Sequence, residues 1–250
     1  MPQTSGKRVG LPGMNPAGLA THLNGLFAPG ALAADLRQPG DPQLLLPAEA
    51  AFLGRAVIDR AREFAAGRLC ARRALQEFGF LNFPIEVGDG RQPIWPASMV
   101  GSITHTGGFC AAVVAERIRI RALGIDSETI EHVNSELWPA VCVPEELAWV
   151  HSLAPSSQRC AVALIFSAKE AFYKCQYPLV RERLNFHDAR IEAGAWNGDA
   201  AHGVIQAFKI HPTRSIALRT AAVLALQGRF LFHDGLVTAG MSLAAPPDSQ

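Results

Sequence analysis

The stretch Ala122–Glu128, ALGIDSE, decides how this sequence is interpreted, because a short apolar run ends there in two carboxylates. Asp126 and Glu128 are separated by one small residue, Ser127. If the run is a β-strand, alternate side chains lie on one side, so both carboxylates project into one small volume while Ser127 points away. Paired carboxylates suit Mg²⁺, which completes its shell with water and phosphate. Taken alone, the pattern is better explained by a strand that ends in a solvated acidic turn.

The composition limits the classes of protein that this chain can belong to. Its 250 residues are 49% hydrophobic and 18% charged, and the formal net charge is +1. This length allows one large domain or two small ones, and the charge gives no global field for nucleic acid or a membrane surface. No run of about 18 apolar residues predicts a membrane-spanning helix.

The cysteines and the N-terminus indicate a cytoplasmic protein. The five cysteines form an odd set without a C-x-x-C pair, which argues against a disulfide framework and against a zinc site. The mildly apolar stretch near the N-terminus is interrupted by prolines and polar residues, so it makes a poor signal-peptide core. We therefore expect a protein of the reducing cytoplasm.

Two helical regions flank the acidic stretch. The first begins at Pro47 and runs to about Phe78, in one or two pieces, because proline is favoured in the first turn of a helix. The second runs from Ser157 to about Tyr177, where Pro178 is expected to stop it.

The second helix supplies a third carboxylate. In FSAKEAFYK (166–174), Glu170 and Lys174 are four residues apart and therefore share a face. An ordinary surface ion pair explains this spacing as well, and Ser167 with Glu170 also fits a capping box. The capping box is disfavoured because the apolar residues before Ser167 indicate a helix already under way. The functional alternative is that this face meets the acidic pair.

The first half of the chain supplies candidate phosphate-binding groups. In the first helix, Arg68 and Arg72 share one face and Arg62 lies on another. A solvated charged face is the ordinary explanation, whereas a guanidinium cluster that binds phosphate is the functional one. Arg91, in the turn-rich loop GRQPIWP (90–96), and His105, at a strand end, can also present positive charge or an N–H to an anion.

The remaining patterns predict β structure in two groups. MVGSITH (99–105) and FCAAVV (109–114) form a hairpin around a Thr-Gly-Gly turn. Later β-prone runs cover residues 203–210, 215–218, 221–226, 229–233 and 236–243, the last two joined by a hairpin turn at His233-Asp-Gly235. Each group of strands follows a long helix.

These patterns predict an α+β fold made of two similar, pseudo-duplicated halves, each with a long helix packed against a small, mostly antiparallel sheet. We assign an irregular N-terminal arm with short strand pieces to residues 1–46, the halves to 47–118 and 119–243, and a tail to 244–250. Sites commonly lie between such halves. The acidic pair directly follows the link between them, so we expect the site at this seam.

Three motifs, in this order and at this spacing, resemble the signature motifs of the 4′-phosphopantetheinyl transferase superfamily. They are GSITH (101–105), GIDSE (124–128) and FSAKEAFYK (166–174). The helix segment REFAAGRLCARRAL (62–75) and the loop GRQPIWP are similar to the branch that includes the enterobactin synthetase component. The match is to the large, two-half, monomeric type, and its motifs extend from about Arg62 to Lys174.

The resemblance implies transfer of the phosphopantetheine arm of coenzyme A to a serine of an apo acyl or peptidyl carrier protein, with release of adenosine 3′,5′-bisphosphate. Fatty acid, polyketide and siderophore carriers are all compatible with it, and neither nucleic acid nor a membrane is implied as a partner. By motif, the Mg²⁺ ligands are Asp126, Glu128 and Glu170. The implied coenzyme A contacts are Arg62, Arg68, Arg72, Arg91, Thr104, His105, Asp126, Lys169 and Lys174.

Some of these assignments carry further expectations. Lys169 either holds phosphate or positions the helix, and Glu146 stands where relatives carry an acidic residue. Ser127 replaces the usual apolar residue, and Thr104 replaces the usual serine before the histidine. We expect both replacements to be tolerated, because Ser127 points away from the metal and Thr104 keeps a hydroxyl group.

The chemistry of the residues agrees with this resemblance. Mg²⁺ on three carboxylates would neutralise charge that develops on the pyrophosphate. Lys174 would add positive charge near the leaving phosphate, and Glu170 is the candidate base for the carrier serine. Two alternatives use the same residues or the same fold: a Mg²⁺-dependent hydrolase of nucleotide pyrophosphates, and a carrier-binding module without activity. The intact acidic residues and Lys174 argue against the binding module.

Overall fold

The computed structural model describes residues 18–194, 196, 198–199 and 201–246. The first seventeen residues of the expected N-terminal arm, and residues 247–250 of the expected tail, lie outside this range.

The first half is a four-stranded antiparallel sheet with helices against it. Its strands are β1 (Gly18–Leu19), β2 (Leu32–Leu36), β3 (Met99–Thr106) and β4 (Phe109–Glu116), in the order β1-β2-β4-β3. Its helices are α1 (Thr21–Asn24), α2 (Pro47–Ala50) and α3 (Ile58–Gln76). The β3–β4 hairpin confirms the sequence prediction, and the expected first helix is divided between α2 and α3. The segment before Pro47 adds two short strands to the sheet.

The second half is a five-stranded antiparallel sheet in the order β5-β9-β8-β7-β6. Its strands are β5 (Ile120–Thr129), β6 (Ala189–Glu192), β7 (Gln206–Pro212), β8 (Leu226–His233) and β9 (Leu236–Ala244). Its helices are α4 (Trp138–Val141), α5 (Pro144–Ser152), α6 (Pro155–Val180) and α7 (Thr220–Leu224). The two halves confirm the predicted α+β class.

The ends of the elements show where local patterns succeed and fail. Asp234 and Gly235 have φ angles of 47° and 75°, the two left-handed residues that a tight hairpin turn requires. The prediction of a strand over 221–226 is wrong, because these residues enter α7 and the strand begins only at Leu226. The prediction that Pro178 stops the long helix is also wrong. Arg181, with a φ of 56°, caps α6 through its N–H to the carbonyl of Tyr177.

Three apolar clusters form the core. One lies between α3 and the first sheet, and a second lies between α6 and the second sheet. The third combines both sheets with the N-terminal segment: Leu23 and Phe27 pack with Val113 of β4 and with Leu123 and Ile125 of β5. The halves therefore share a core and do not merely touch.

The seam between the halves is closed by side-chain hydroxyl groups. β3 and β5 are the edge strands of their sheets and lie side by side. Ser102 Oγ accepts a hydrogen bond from the backbone N–H of Ile125 at 3.1 Å, and Thr104 Oγ1 accepts one from that of Ser127 at 2.9 Å. These hydroxyls satisfy buried edge N–H groups that a ladder would otherwise satisfy.

Candidate active site

A close contact between β5 and α6 builds the site. A Cβ atom at Gly124 would lie 1.9 Å from the carbonyl oxygen of Ala171, so the strand and the helix approach this closely only because residue 124 has no side chain. The contact sets the helix face that carries Glu170 and Lys174 over the end of β5. Gly124 of the GIDSE motif is thus explained by packing.

Asp126 is the centre of the cluster. It is buried, and its Oδ1 accepts hydrogen bonds from Lys174 Nζ at 2.7 Å and from Thr104 Oγ1 at 3.3 Å. Its backbone carbonyl accepts one from Ser167 Oγ at 2.8 Å. Ser127 Oγ instead pairs with Thr238 Oγ1 at 2.8 Å on the other face of the sheet, which confirms that Ser127 points away.

The three carboxylates lie in one electrostatic environment. Burial raises the pKa of Asp126. Burial, and then the charges of Asp126 and Glu170, raise the pKa of Glu128 from 4.5 to about 7. The pKa of Glu170 is raised by burial and by the charge of Asp126. Carboxylates that disfavour one another's ionised forms in this way are stabilised by a cation.

The chemistry of this donor set fits a hard cation at Asp126. Its Oδ2 is buried without a hydrogen-bond partner among the described residues, and an unpartnered buried acceptor costs about 1–3 kcal/mol. Lys174 supplies the positive charge on the other oxygen. Within the described residues, no three Asp, Glu, His or Cys side chains converge as a ready-made metal site. Joint ligation by Asp126, Glu128 and Glu170 therefore stays a prediction.

His105 lies in the first half of the protein, close enough to Lys174 and Asp126 for their charges to influence its pKa. Arg60 donates to its Nε2 at 3.0 Å, and Glu63 Oε2 lies 3.7 Å from its Nδ1. Burial lowers the pKa of His105, although its side chain is 39% exposed. Arg62, Phe109 and His105 line a cavity of about 150 Å³. Sequence reasoning missed Arg60, although its spacing from Glu63, three residues on, placed both on one helix face.

A larger cavity opens on the second-half side. It has a volume of about 420 Å³ and is lined by Glu170, Tyr173, Leu184, Phe186 and His187, among others. One carboxylate of the cluster thus borders a cavity with aromatic and aliphatic walls.

Lys169 is held inside the second half. Its Nζ donates to the carbonyl of Val141 at 2.8 Å and to Glu146 Oε2 at 2.7 Å, and the side chain is buried. Of the two expected roles, this geometry supports positioning the helix, and a phosphate contact stays a prediction because Lys169 also lines the cavity of about 420 Å³. Glu146 also accepts from the backbone N–H of Ile191 at 2.6 Å, which makes it a buried connector of α5, α6 and β6.

Two of the arginines face inward. Arg72 forms a buried ion pair with Glu49. Arg68 donates from Nε to the carbonyl of Ile85 at 3.1 Å, and its guanidinium lies 3.7 Å from the ring centroid of Phe64. Burial lowers the pKa of Arg68 to about 10. The guanidinium of Arg72 neutralises Glu49, and the expected contact with coenzyme A stays a prediction. The solvated-face explanation is wrong for both arginines.

Thr104 and Arg91, two other expected coenzyme A contacts, differ in exposure. Thr104 is 1% exposed and both hydrogen bonds of its hydroxyl lie inside the protein, so the geometry does not support the expected contact with coenzyme A, which stays a prediction. Arg91 is exposed, with a φ of 64°. Its loop lies against α6, because a Cβ at Gly90 would be 2.3 Å from the hydroxyl of Tyr177. Arg91 therefore stays a candidate for binding phosphate.

Comparison with known proteins identifies the family of the chain. Residues 48–115 match the family model described as 4′-phosphopantetheinyl transferase N-terminal domain, and residues 122–226 match that of the 4′-phosphopantetheinyl transferase superfamily. The chain is 34% identical over 202 residues to 4′-phosphopantetheinyl transferase Npt of Nocardia iowensis, covering 79% of this chain and 89% of the relative. It is 40% identical over 118 residues to enterobactin synthase component D of Salmonella typhimurium, covering 46% and 47%.

Among solved structures, a holo-[acyl-carrier-protein] synthase from Thermotoga maritima matches with a TM-score of 0.38 and 17% identity, over 51% of this chain and 65% of that one. An overlay this loose carries no argument. The family models and the identity over most of the length of Npt lead to the conclusion that the chain belongs to the 4′-phosphopantetheinyl transferase superfamily.

Proposed function

We propose that this transferase moves the 4′-phosphopantetheine arm of coenzyme A onto a serine hydroxyl of an apo acyl or peptidyl carrier protein and releases adenosine 3′,5′-bisphosphate. The observation that carries the proposal is the cluster at the seam: a buried Asp126 with one unpartnered oxygen, Glu128 and Glu170 beside it, and Lys174 on its other oxygen. The relatives' names supply the reaction class.

In this proposal the two cavities divide the substrate. The anionic nucleotide end lies at the cavity of Arg62 and His105, and the uncharged pantetheine arm extends toward the larger cavity beside Glu170, which has both polar and apolar walls. The pyrophosphate then lies over Asp126. This placement puts the side chains of Arg62 and His105 at the phosphate end and those of Tyr173, Leu184 and Phe186 at the other end.

The reaction forms a bond between the serine oxygen and the phosphorus that carries the pantetheine arm, and it breaks the bond from that phosphorus to the bridging oxygen of the pyrophosphate. Mg²⁺ held by Asp126, Glu128 and Glu170 would neutralise negative charge on the phosphate oxygens. Lys174 donates to an oxygen of the leaving bisphosphate. Glu170, whose pKa is raised, accepts the serine proton directly or through a water.

The proposal extends to the organisation of the protein. We assign residues 47–118 and 119–243 to the two halves and count residues 18–46 with the first, because β2 pairs with β4. Both halves of the seam come from one chain, which supports a monomer. No described helix has the length and apolar character needed to cross a membrane. All five cysteines are free thiols, which supports a cytoplasmic location.

One experiment tests the proposed function. The protein is incubated with coenzyme A, Mg²⁺ and an apo carrier, and the intact mass of the carrier is measured. Addition of one phosphopantetheine supports the proposal. Cleavage of coenzyme A without a change in carrier mass would favour the pyrophosphate hydrolase, and no reaction with acyl and peptidyl carriers would favour the binding module.

A further inference from the structure

We propose that Thr104 is a positioning residue that aims the free oxygen of Asp126 at the metal and does not itself bind coenzyme A. The inference rests on the proposed function, because it assigns a role in the same metal site. It also departs from what the sequence motif implies for the residue before the histidine.

The hydroxyl of Thr104 has one proton to donate, and the structure shows where that proton goes. Oγ1 accepts from the backbone N–H of Ser127 at 2.9 Å, which uses one lone pair and orients the group. The proton is then directed at Asp126 Oδ1, 3.3 Å away. With the residue 1% exposed, no donor is left for a phosphate.

The hydrogen bonds to Oδ1 of Asp126 also fix the direction of its other oxygen, Oδ2. Oδ1 is held from two sides, by Thr104 and by Lys174 Nζ. A carboxylate fixed at one oxygen has a fixed plane, so Oδ2 keeps one direction. That oxygen is the buried atom without a partner. Thr104 and Lys174 therefore determine which oxygen is presented to a cation.

Thr104 also connects the two halves at this point. It lies on β3, whereas Asp126 and Ser127 lie on β5 and Lys174 lies on α6. Among the described hydrogen bonds, Thr104 provides the contact from the first half to the Asp126 carboxylate. Ser102, two residues earlier, makes the same kind of seam bond to Ile125 but touches no carboxylate. Ser102 is therefore a matched control.

The test compares the wild-type protein with Thr104→Val, Thr104→Ser and Ser102→Ala. Mn²⁺ binding is measured by electron paramagnetic resonance, with and without adenosine 3′,5′-bisphosphate. Binding of that bisphosphate in excess chelator is measured by calorimetry. We expect Thr104→Val to weaken Mn²⁺ binding about tenfold or more, the effect of one lost hydrogen bond to a charged group, and to leave bisphosphate binding in chelator unchanged. Thr104→Ser should restore Mn²⁺ affinity to within about twofold of wild type.

Ser102→Ala should lower the thermal midpoint while it keeps the wild-type Mn²⁺ affinity. Loss of bisphosphate binding in chelator with unchanged Mn²⁺ affinity in Thr104→Val would overturn the proposal in favour of a substrate contact. Equal losses of Mn²⁺ affinity in Ser102→Ala and Thr104→Val would also overturn it, as would a wild-type protein that binds no Mn²⁺. If Thr104→Val does not fold, Thr104→Ala serves in its place. A wild-type protein that binds Mn²⁺ but modifies no carrier would contradict the proposed function alone.

Discussion

Lys174 and Asp126 form an ion pair across the contact between α6 and β5, with Nζ 2.7 Å from Oδ1. The lysine also donates to the backbone carbonyl of Ile125 at 3.2 Å. In this position it already neutralises a carboxylate that would bind a metal ion. Binding of a pyrophosphate would give the ammonium group a second anionic partner.

We therefore expect Lys174→Met to strengthen Mn²⁺ binding in the absence of nucleotide, because removal of a positive charge that competes for Asp126 outweighs the loss of one bond to Oδ1, which Thr104 still holds. The same variant should raise the KM for coenzyme A. Lys174→Arg, which keeps the charge, is the control. The measurements are Mn²⁺ titration and steady-state kinetics; Mn²⁺ affinity in Lys174→Met equal to or below that of wild type would contradict the expectation.

Glu128 makes stability depend on pH when no divalent cation is present. Its pKa rises from 4.5 in the ordinary state to about 7 in the fold, so the folded protein holds a proton that the unfolded chain has already lost. Stability should therefore fall as pH rises through this window. Thermal midpoints in chelator should decline more steeply for wild type than for Glu128→Gln. Parallel curves for the two proteins would argue against this role.

Gly124 determines how closely α6 approaches β5. Gly124→Ala places a Cβ 1.9 Å from the carbonyl of Ala171, so strand and helix must separate. We expect a loss of roughly 1–3 kcal/mol in the free energy of unfolding and lower transferase activity. Gly18→Ala is the control, because nothing lies within 4 Å of a Cβ there and its φ is not positive. Urea denaturation measures the free energy of unfolding of both variants. Equal stability in the two variants would refute the packing argument.

The arginines of α3 should separate into two classes. Arg72→Ala leaves Glu49 buried without its partner, and we expect a loss of about 3–5 kcal/mol in the free energy of unfolding. Arg62 is exposed and lines the cavity beside His105, so Arg62→Ala should change stability by less than about 0.5 kcal/mol and raise the KM for coenzyme A. A stable Arg72→Ala variant with a raised KM would return Arg72 to the binding site.

The sequence predicts the parts of this fold that depend on local pattern. The β3–β4 hairpin, the β8–β9 turn and the long helix of the second half follow from periodicity and turn residues. The short apolar run at 221–226 was ambiguous by the same criteria, and α7 is the result. The burial of Arg72 was not predictable from its own helix, because its partner Glu49 lies 23 residues away. Glu49 belongs to α2, which a non-helical segment separates from α3.

The candidate site was likewise predictable from local sequence patterns only in part. Strand alternation predicted that Asp126 and Glu128 share a face, and helical spacing predicted the same for Glu170 and Lys174. That the two faces meet was implied by the resemblance, and the pKa shifts agree with it. The partner of Lys169 could not have been assigned from helix geometry, because Glu146 lies 23 residues earlier in the chain. Ser167 shares the helical stripe of Glu170 and Lys174, a spacing that could have identified its contact with β5. The role of Thr104 required the register between two sheets.

The central claim is that the carboxylate of Asp126 is required for transfer and not for folding. The most direct measurement is the intact mass of an apo carrier after incubation with coenzyme A, Mg²⁺ and either wild type or Asp126→Asn. Because burial raises the pKa of Asp126, the neutral amide should fold with equal or greater thermal stability. We predict addition of one phosphopantetheine by wild type and none by the folded variant. Modification of the carrier by Asp126→Asn at a rate near that of wild type would contradict the account.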